Sequence, residues 1–422
     1  MKKLRIGLVG LGVVGKSVYE ILVNQKEIIG AKSANKLELV AVCARSKKDF
    51  VDETKVKYVT NPLDLALDKE IDIIVEVAGD APNIREMWVA ALKNGKKIVT
   101  ANKALFATKG LEMTKLAEEN GGYIAFEASV AGAIPIIKLF KEGFAANKIN
   151  AFYGILNGTS NYILTKMKDE NIDFSVALKQ AQDAGYAEAD PAFDIEGTDV
   201  AHKLTILAAI AESAKPAFSE TYVEGITQIN IDDIKFADEF GYKIKLLAIY
   251  KNGEKASQQT VYPALVEKSE KIASVDDSFN AIFTQGSNFG DSFIVGRGAG
   301  GFQTASSVVS DLIDIANDRH SFEFGVKSDG LKSVNISKIE DRIGQYFIRF
   351  SFDKNADKEN ILDKNFLEKI KVEKSYFYEK EEVVFCGVIS GQIIEKDLKN
   401  LLNNLDKNSI KDLNFIRVEK IC

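Results

Sequence analysis

Two charges stand one helical turn apart at the head of an otherwise apolar run, Asp199 and Lys203 in "DIEGTDVAHKLTILAAIA" (194–211). On an α-helix, Lys203 falls roughly 40° round from Asp199, and Ile210 and Ile206 fall within roughly 20° on either side. Val200, Leu204, Leu207 and Ala211 follow at roughly 80° to 140°. The two charges therefore lie inside the apolar sector. A solvated Asp–Lys pair at this spacing is worth only about 0.2–0.5 kcal/mol. An inward charge is costly unless it is paired or used. Its use would be acid–base chemistry, an ammonium oriented by a carboxylate and able to donate a proton.

A second stretch that could do chemistry is Gly10-Leu-Gly12-Val13-Val14-Gly15, which fits G-x-G-x-x-G. Such glycines serve a tight turn, a close backbone approach to a pyrophosphate, and helix–strand packing. The helix N-terminus that follows offers N–H groups to the phosphates. The alternative is a turn with a structural role only. The strand after this helix ends Cys43-Ala44-Arg45, with no acid at its tip to meet a free ribose 2′-hydroxyl. Arg45, followed by Lys47 and Lys48, would instead suit a 2′-phosphate. This favours NADP(H) over NAD(H), with a solvated basic turn as the alternative. Lys103 in "TANKALFA" follows the fourth strand, where the crevice of an open α/β sheet lies. It would reach the nicotinamide end, or else simply start a helix in solvent. In "EASVAGAIPII" (127–137), exposed carbonyls beside Glu127 would suit a cation.

Positioning these residues needs strands and helices in alternation, and the chain supplies them. "LRIGLV" (4–9), "LELVAVCA" (37–44), "IDIIVEVAG" (71–79), "KKIVTA" (96–101) and "GYIAFEASV" (122–130) read as strands. Apolar-periodic helices separate them, one over about 13–23 and another, "NIREMWVAALKNG", closing on Gly95. The pattern specifies a doubly wound parallel sheet, a Rossmann domain over 1–130. Past Val130 the rhythm changes. "KINAFYGIL", "QTVYPALV", "FNAIFTQG" and "SFIVGRG" read as strands among helices, an α+β domain over 131–299. A helix over 304–319 lies in a segment, 300–325, that returns to the first domain. From 345 to 422 the order is strand, helix, strand, strand, helix, strand, a ferredoxin-like module.

Composition closes off other classes. A 422-residue chain with 46% hydrophobic and 27% charged residues has material for two or three well-packed domains. A net charge of −6 gives no basic footprint for nucleic acid. No apolar run is long enough to span a membrane. The N-terminal glycines fit a strand–turn–helix better than a secretory leader. Cys43, Cys386 and Cys422 are too scattered for a disulfide framework or a zinc site, which points to the cytoplasm. With only His202 and His320, a histidine-based triad has little material.

The block "AQDAGYAEADPAFDIEGTDVAHK" (181–203) closely resembles the signature of the homoserine dehydrogenase family. It has Gly185-Tyr186, Asp190-Pro191, Asp194, Gly197, Asp199 and Lys203 at the family's spacings. "GLGVVG", "TANKALFA", "EASVAG" and "GILNGTSNYIL" match in the same order, so the resemblance covers residues 1 to about 325. It implies NAD(P)H-dependent, reversible reduction of L-aspartate 4-semialdehyde to L-homoserine, by a homodimer or homotetramer with no fused aspartokinase. By position, Lys203 matches the proton donor and Lys103 its partner lysine at the reacting oxygen. Asp199 and Glu188 match residues that hold substrate and orient the lysine, and Asp194 is a further substrate contact. Glu127, with the carbonyls of Val130, Gly132 and Ile134, matches a structural sodium site. Ala133 departs from the glycine common there. Gly300 in "GRGAGG" matches a cofactor contact.

The chemistry agrees. Hydride delivered to an aldehyde carbon leaves an alkoxide that an ammonium can protonate. A free lysine, near pKa 10.4, is a sluggish acid at neutrality, and a second cation nearby lowers it. Another NADP-dependent oxidoreductase of amino-acid aldehydes is the alternative enzyme. A non-catalytic NADP(H) sensor is the alternative class, against which the two lysines, Asp199 and Glu188 argue. The tail resembles an ACT domain, but "DKNADKENIL" (353–362) stands in place of the usual glycine- and proline-containing entry into the first helix.

Overall fold

The computed structural model describes residues 2–79, 81–356, 364–405 and 410–421. The chain folds into two compact units. The first is Met1–Ala151 with His202–Ser219 and Thr284–Val334, and the second is Phe152–Ala201 with Glu220–Phe283 and Asn335–Cys422.

In the first unit the short apolar runs become strands β1 (Lys3–Val9), β2 (Lys36–Cys43), β3 (Lys57–Val59), β4 (Ile73–Glu76), β5 (Lys97–Thr100) and β6 (Tyr123–Ala125). They form one sheet in the order β3-β2-β1-β4-β5-β6, every neighbour parallel. Ile6, Leu8, Ile73, Ile74 and Val75 on the two central strands are fully buried, as a sheet covered on both faces requires. The order reverses beside β1, so a crevice opens past the ends of β1 and β4. The three-residue β3 is too short to leave a periodic signature, and the sequence pattern does not announce it. The strand expected over 122–130 is shorter because the chain turns into a 3-10 helix at Glu127–Ser129. The helix expected over 304–319 spans Gly301–Ala316. Its buried face, Ala305, Val308, Val309, Leu312 and Ile315, joins Val18 and Leu22 of the helix Val13–Asn24 in the core. Gly95 lies just past the helix Ile84–Lys93 with φ 67, the left-handed turn that ends it.

The second unit is built on the antiparallel pair Tyr242–Lys251 and Gln258–Glu267, which stay in register over their whole length. Tyr242–Lys251 is not among the strands expected from the sequence. The elements of the tail run as strand Tyr346–Asp353, helix Lys364–Ile370, strands Lys374–Lys380 and Val383–Ile389, helix Glu395–Asn403 and strand Asp412–Glu419. The four strands lie in the order last, first, third, second, all antiparallel. Most of the "DKNADKENIL" stretch lies outside the described residues. The tail's sheet does not stand alone. Ala264, Leu265 and Val266 pair in parallel with Arg417, Val418 and Glu419.

Buried ions seal this junction. The Arg417 guanidinium donates to both oxygens of Glu395 at 2.7 Å and to Glu224 at 2.8 Å. Glu419 accepts from Arg342 at 2.7 Å, Lys251 at 2.9 Å and the Tyr262 hydroxyl at 2.9 Å. Arg349 joins Asp233 at 2.7 Å to Asp412 at 2.6 Å. Removing one member of such a set leaves its partners buried and uncompensated.

Arg417→Met is accordingly expected to destabilise the protein by about 3–5 kcal/mol in urea unfolding, and adding Glu395→Leu to recover part of the loss. A loss under about 1 kcal/mol would mean the ions are dispensable. In the first unit, buried Glu323 accepts from the Ile124 N–H at 3.0 Å, and burial pushes its carboxyl up to about 7. Protonated Glu323 favours the fold. That advantage is complete below about 4.5, the ordinary value, and is lost as pH rises through about 7. Glu323→Gln is expected to flatten the decline in Tm across this window, removing a cost on the order of 3 kcal/mol above it. Parallel Tm–pH curves for the two proteins would overturn this.

Candidate active site

At the end of β1 the three glycines have separate duties. Gly10 has φ 92, and a Cβ there would lie 2.8 Å from the Ala78 backbone. A Cβ on Gly15 would lie 1.9 Å from the Gly10 carbonyl oxygen. Gly12 is different, because a Cβ there would meet nothing within 4 Å. That open position stands at the start of the helix Val13–Asn24, which has no side-chain cap. Its first N–H groups, with exposed Val13 and half-buried Val14 beside them, are left for an anion.

Gly10 and Gly12 line a cavity of about 480 Å³ whose far wall is Ala44, Arg45, Ser46 and Lys48 at the tip of β2. Lys47 is drawn away to Glu53, at 2.7 Å. Cys43, also on the wall, is a poor nucleophile, since burial and then Asp64 push its thiol up to about 11. Gly300, with φ 124, precedes the helix Gly301–Ala316. A Cβ on Gly301 would lie 2.6 Å from Ser17 Oγ and 3.1 Å from Val13 Cγ1. The start of this helix thus brings Gly300 to the glycine turn.

Glu76 and Asn102, which were not among the residues expected from the sequence, organise the ends of β4 and β5. The fully buried Glu76 carboxylate accepts from Ala78 N at 2.8 Å, Gly79 N at 3.2 Å and Thr100 Oγ1 at 2.9 Å. Burial raises its pKa and these donors oppose the rise. Asn102 donates to the Gly79 carbonyl at 3.1 Å and caps Leu105 N at 3.0 Å. This fixes half-buried Lys103 as the first residue of the helix Lys103–Asn120, just past β5. The one signal of Glu76 in the sequence is an acid near the end of the apolar run "IDIIVEVAG", which also carries Asp72 at its start.

The turn after β6 is held by Glu127. The Glu127 carboxylate accepts from Ile137 N and Lys138 N, each at 2.8 Å, and the Glu127 N–H donates to Asp311 at 3.0 Å. Burial and the neighbouring Asp311 push Glu127 up to about 7. Its side chain therefore holds the next turn of backbone. Ala131 and Gly132 both have positive φ, 56 and 52. The Gly132 carbonyl accepts from Ser307 Oγ at 2.7 Å, and Ala133 N donates to the Arg297 carbonyl at 3.1 Å. Val130 and Ile134 are buried around this turn.

In the second unit two acids expected from the signature are tied together by one amide. Asn157 Nδ2 donates to Asp194 at 2.7 Å and to Asp199 at 2.8 Å. Asp194 sits in the short helix Ala192–Ile195 and Asp199 opens the helix Thr198–Glu212. Glu188 stays exposed, its carbonyl accepting from Gln182 at 3.1 Å. Along the helix Thr198–Glu212, Asp199 is only 3% and Lys203 only 9% exposed, so the solvated-pair reading is set aside. His202 is buried with its ring 4.4 Å from that of Phe218, a packing role. No helix among the described residues is long and apolar enough to cross a membrane.

Known proteins resemble this chain over most of its length. Residues 10–127 match the family model "Homoserine dehydrogenase, NAD binding domain", and residues 135–313 match "Homoserine dehydrogenase". The homoserine dehydrogenase of Neisseria gonorrhoeae is 43% identical over 317 residues, 75% of this chain and 73% of that protein. The crystal structure of a homoserine dehydrogenase from Thiobacillus denitrificans superposes with a TM-score of 0.92 at 35% identity, covering 100% of this chain and 99% of that one. A hyperthermophilic archaeal homoserine dehydrogenase in complex with NADPH aligns at TM-score 0.66 and 26% identity, over 76% of this chain and 99% of its own. With both family models matched and a relative 43% identical over 75% of the chain, the chain belongs to the homoserine dehydrogenase family.

Proposed function

We propose a division of labour for the family's reaction, the reversible NAD(P)H-dependent reduction of L-aspartate 4-semialdehyde to L-homoserine. The observation that carries it is the Asp199–Lys203 pair, buried at the head of an apolar helix. When bound, the reduced nicotinamide supplies a hydride to the aldehyde carbon. Lys203 Nζ donates a proton to the oxygen as negative charge develops there, a contribution of typically 10²–10⁴-fold. Lys103, at the end of β5, is the second cation at that oxygen and makes Lys203 a readier acid. Asp199 orients Lys203, while Asp194 and Glu188 hold the substrate's polar groups. Water then restores the proton to Lys203.

The dinucleotide would lie along Gly10, Gly12, Val13, Val14 and Gly15, with Gly300 a further contact at the glycine turn and Lys103 at its nicotinamide end. The open position at Gly12 supports this fit. NADP(H) is favoured over NAD(H), since Arg45, Ser46 and Lys48 line the cavity at the tip of β2 and no acid stands there. A structural sodium ion would sit at Glu127 with the carbonyls of Val130, Gly132 and Ile134, the Glu127 carboxylate also holding the next turn of backbone. The domains are assigned as 1–130 with the return segment 300–325, 131–299, and an ACT-like module over 345–422. The enzyme is assigned to the cytoplasm, as a homodimer or homotetramer in threonine, methionine and isoleucine biosynthesis.

Lys203→Ala is expected to lower kcat by about 10²-fold or more with little change in cofactor affinity. Retention of more than about a tenth of wild-type turnover would remove Lys203 from the acid's role. Arg45→Ala is expected to raise KM for NADPH by about tenfold and leave KM for NADH nearly unchanged, because only one cofactor carries the 2′-phosphate. Both are read in a spectrophotometric assay with aspartate semialdehyde and each reduced nicotinamide. Equal effects on the two cofactors would make Arg45 structural.

A further inference from the structure

Asn157 does two things at once. Its Oδ1 accepts from Ser160 N at 2.8 Å and so caps the helix Gly158–Glu170. Its Nδ2 carries two hydrogens, and the two acceptors in reach are Asp194 Oδ1 and Asp199 Oδ2. The residue is 6% exposed. Ser160 Oγ adds a bond to the Asp194 carbonyl at 3.0 Å, so the short helix bearing Asp194 cannot drift from the clamp. One planar amide therefore sets the distance between two carboxylates that lie on different helices.

We propose that Asn157 is a positioning residue of the reaction, a neutral clamp that keeps Asp194 and Asp199 close together and both ionised. This rests on the assignment of those two acids to the site. Two carboxylates held by one nitrogen repel each other, which by itself favours protonation of one of them. Hydrogen bonds to the charged forms oppose that uptake. An amide does so without adding a cation, which would compete for the acids with the substrate's α-ammonium and with Lys203. The clamped acids thus keep their charge for positive partners.

The test separates clamp from cap. Serine is as good a helix cap as asparagine but has a single hydroxyl hydrogen, so Asn157→Ser keeps the cap and halves the clamp. Aspartate also caps, but supplies no donor when ionised and adds a third carboxylate. In the pH profile of kcat/KM for the semialdehyde, the acid limb is expected to move up by about one unit in Asn157→Ser, and further in Asn157→Asp. Well down that limb a one-unit shift is a loss of about tenfold, shrinking to within about threefold at pH values above the limb. The Tm and the affinity for the reduced nicotinamide are expected to stay close to wild type. An unmoved acid limb in both variants, with Asp199→Asn impaired, would reduce Asn157 to a cap. Wild-type kcat/KM in Asp199→Asn would instead overturn the assignment of the acids, and the clamp with it.

Discussion

The carboxylate of Glu76 is wholly buried at the end of a parallel strand, where water cannot reach it. Such a group survives only if donors converge on it. Ala78 N, Gly79 N and the Thr100 hydroxyl do so, drawing the loop after β4 against the end of β5. Asn102 extends the network to the Gly79 carbonyl and to the first turn of the helix that Lys103 begins. Gly10 packs against this same loop, closely enough that a Cβ would strike Ala78. The glycine turn and the lysine turn are thus two sides of one hydrogen-bonded knot. Weakening it would loosen both ends of the crevice.

The second unit repeats the logic with different groups. Here the charges are half-buried Asp194 and buried Asp199, and the converging donor is the Asn157 amide. In both places a charge that would be ruinous alone becomes a rigid reference point once it is paired. Rigidity at the polar ends of apolar elements is what fixes a reacting group to within a fraction of an ångström.

What the sequence made legible follows from range. The alternation of strands and helices, the roles of the glycines and the inward face of Asp199 and Lys203 are local patterns, and each has its physical counterpart in the structure. The strand Lys57–Val59 was hidden because three residues carry no periodicity. The backbone donors to the Glu127 carboxylate, Ile137 N and Lys138 N, are likewise groups that no side-chain pattern announces. Glu76 and Asn157 were overlooked for the same reason. Their importance lies in partners brought near by folding, and their own residue types are common in loops and caps.

The parallel pairing of Ala264–Val266 with Arg417–Glu419 has a consequence for how the chain is made. During synthesis the strand Gln258–Glu267 emerges long before its neighbour. Until residues 417–419 clear the ribosome, that stretch keeps an unpaired backbone edge flanked by apolar side chains, the kind of surface that recruits a strand from another chain. Closing it requires a loop spanning the tail, a slow, non-local step. The second unit therefore matures last and all at once. Its yield in a cell will depend on chaperone cover and on growth temperature more than its final stability would suggest.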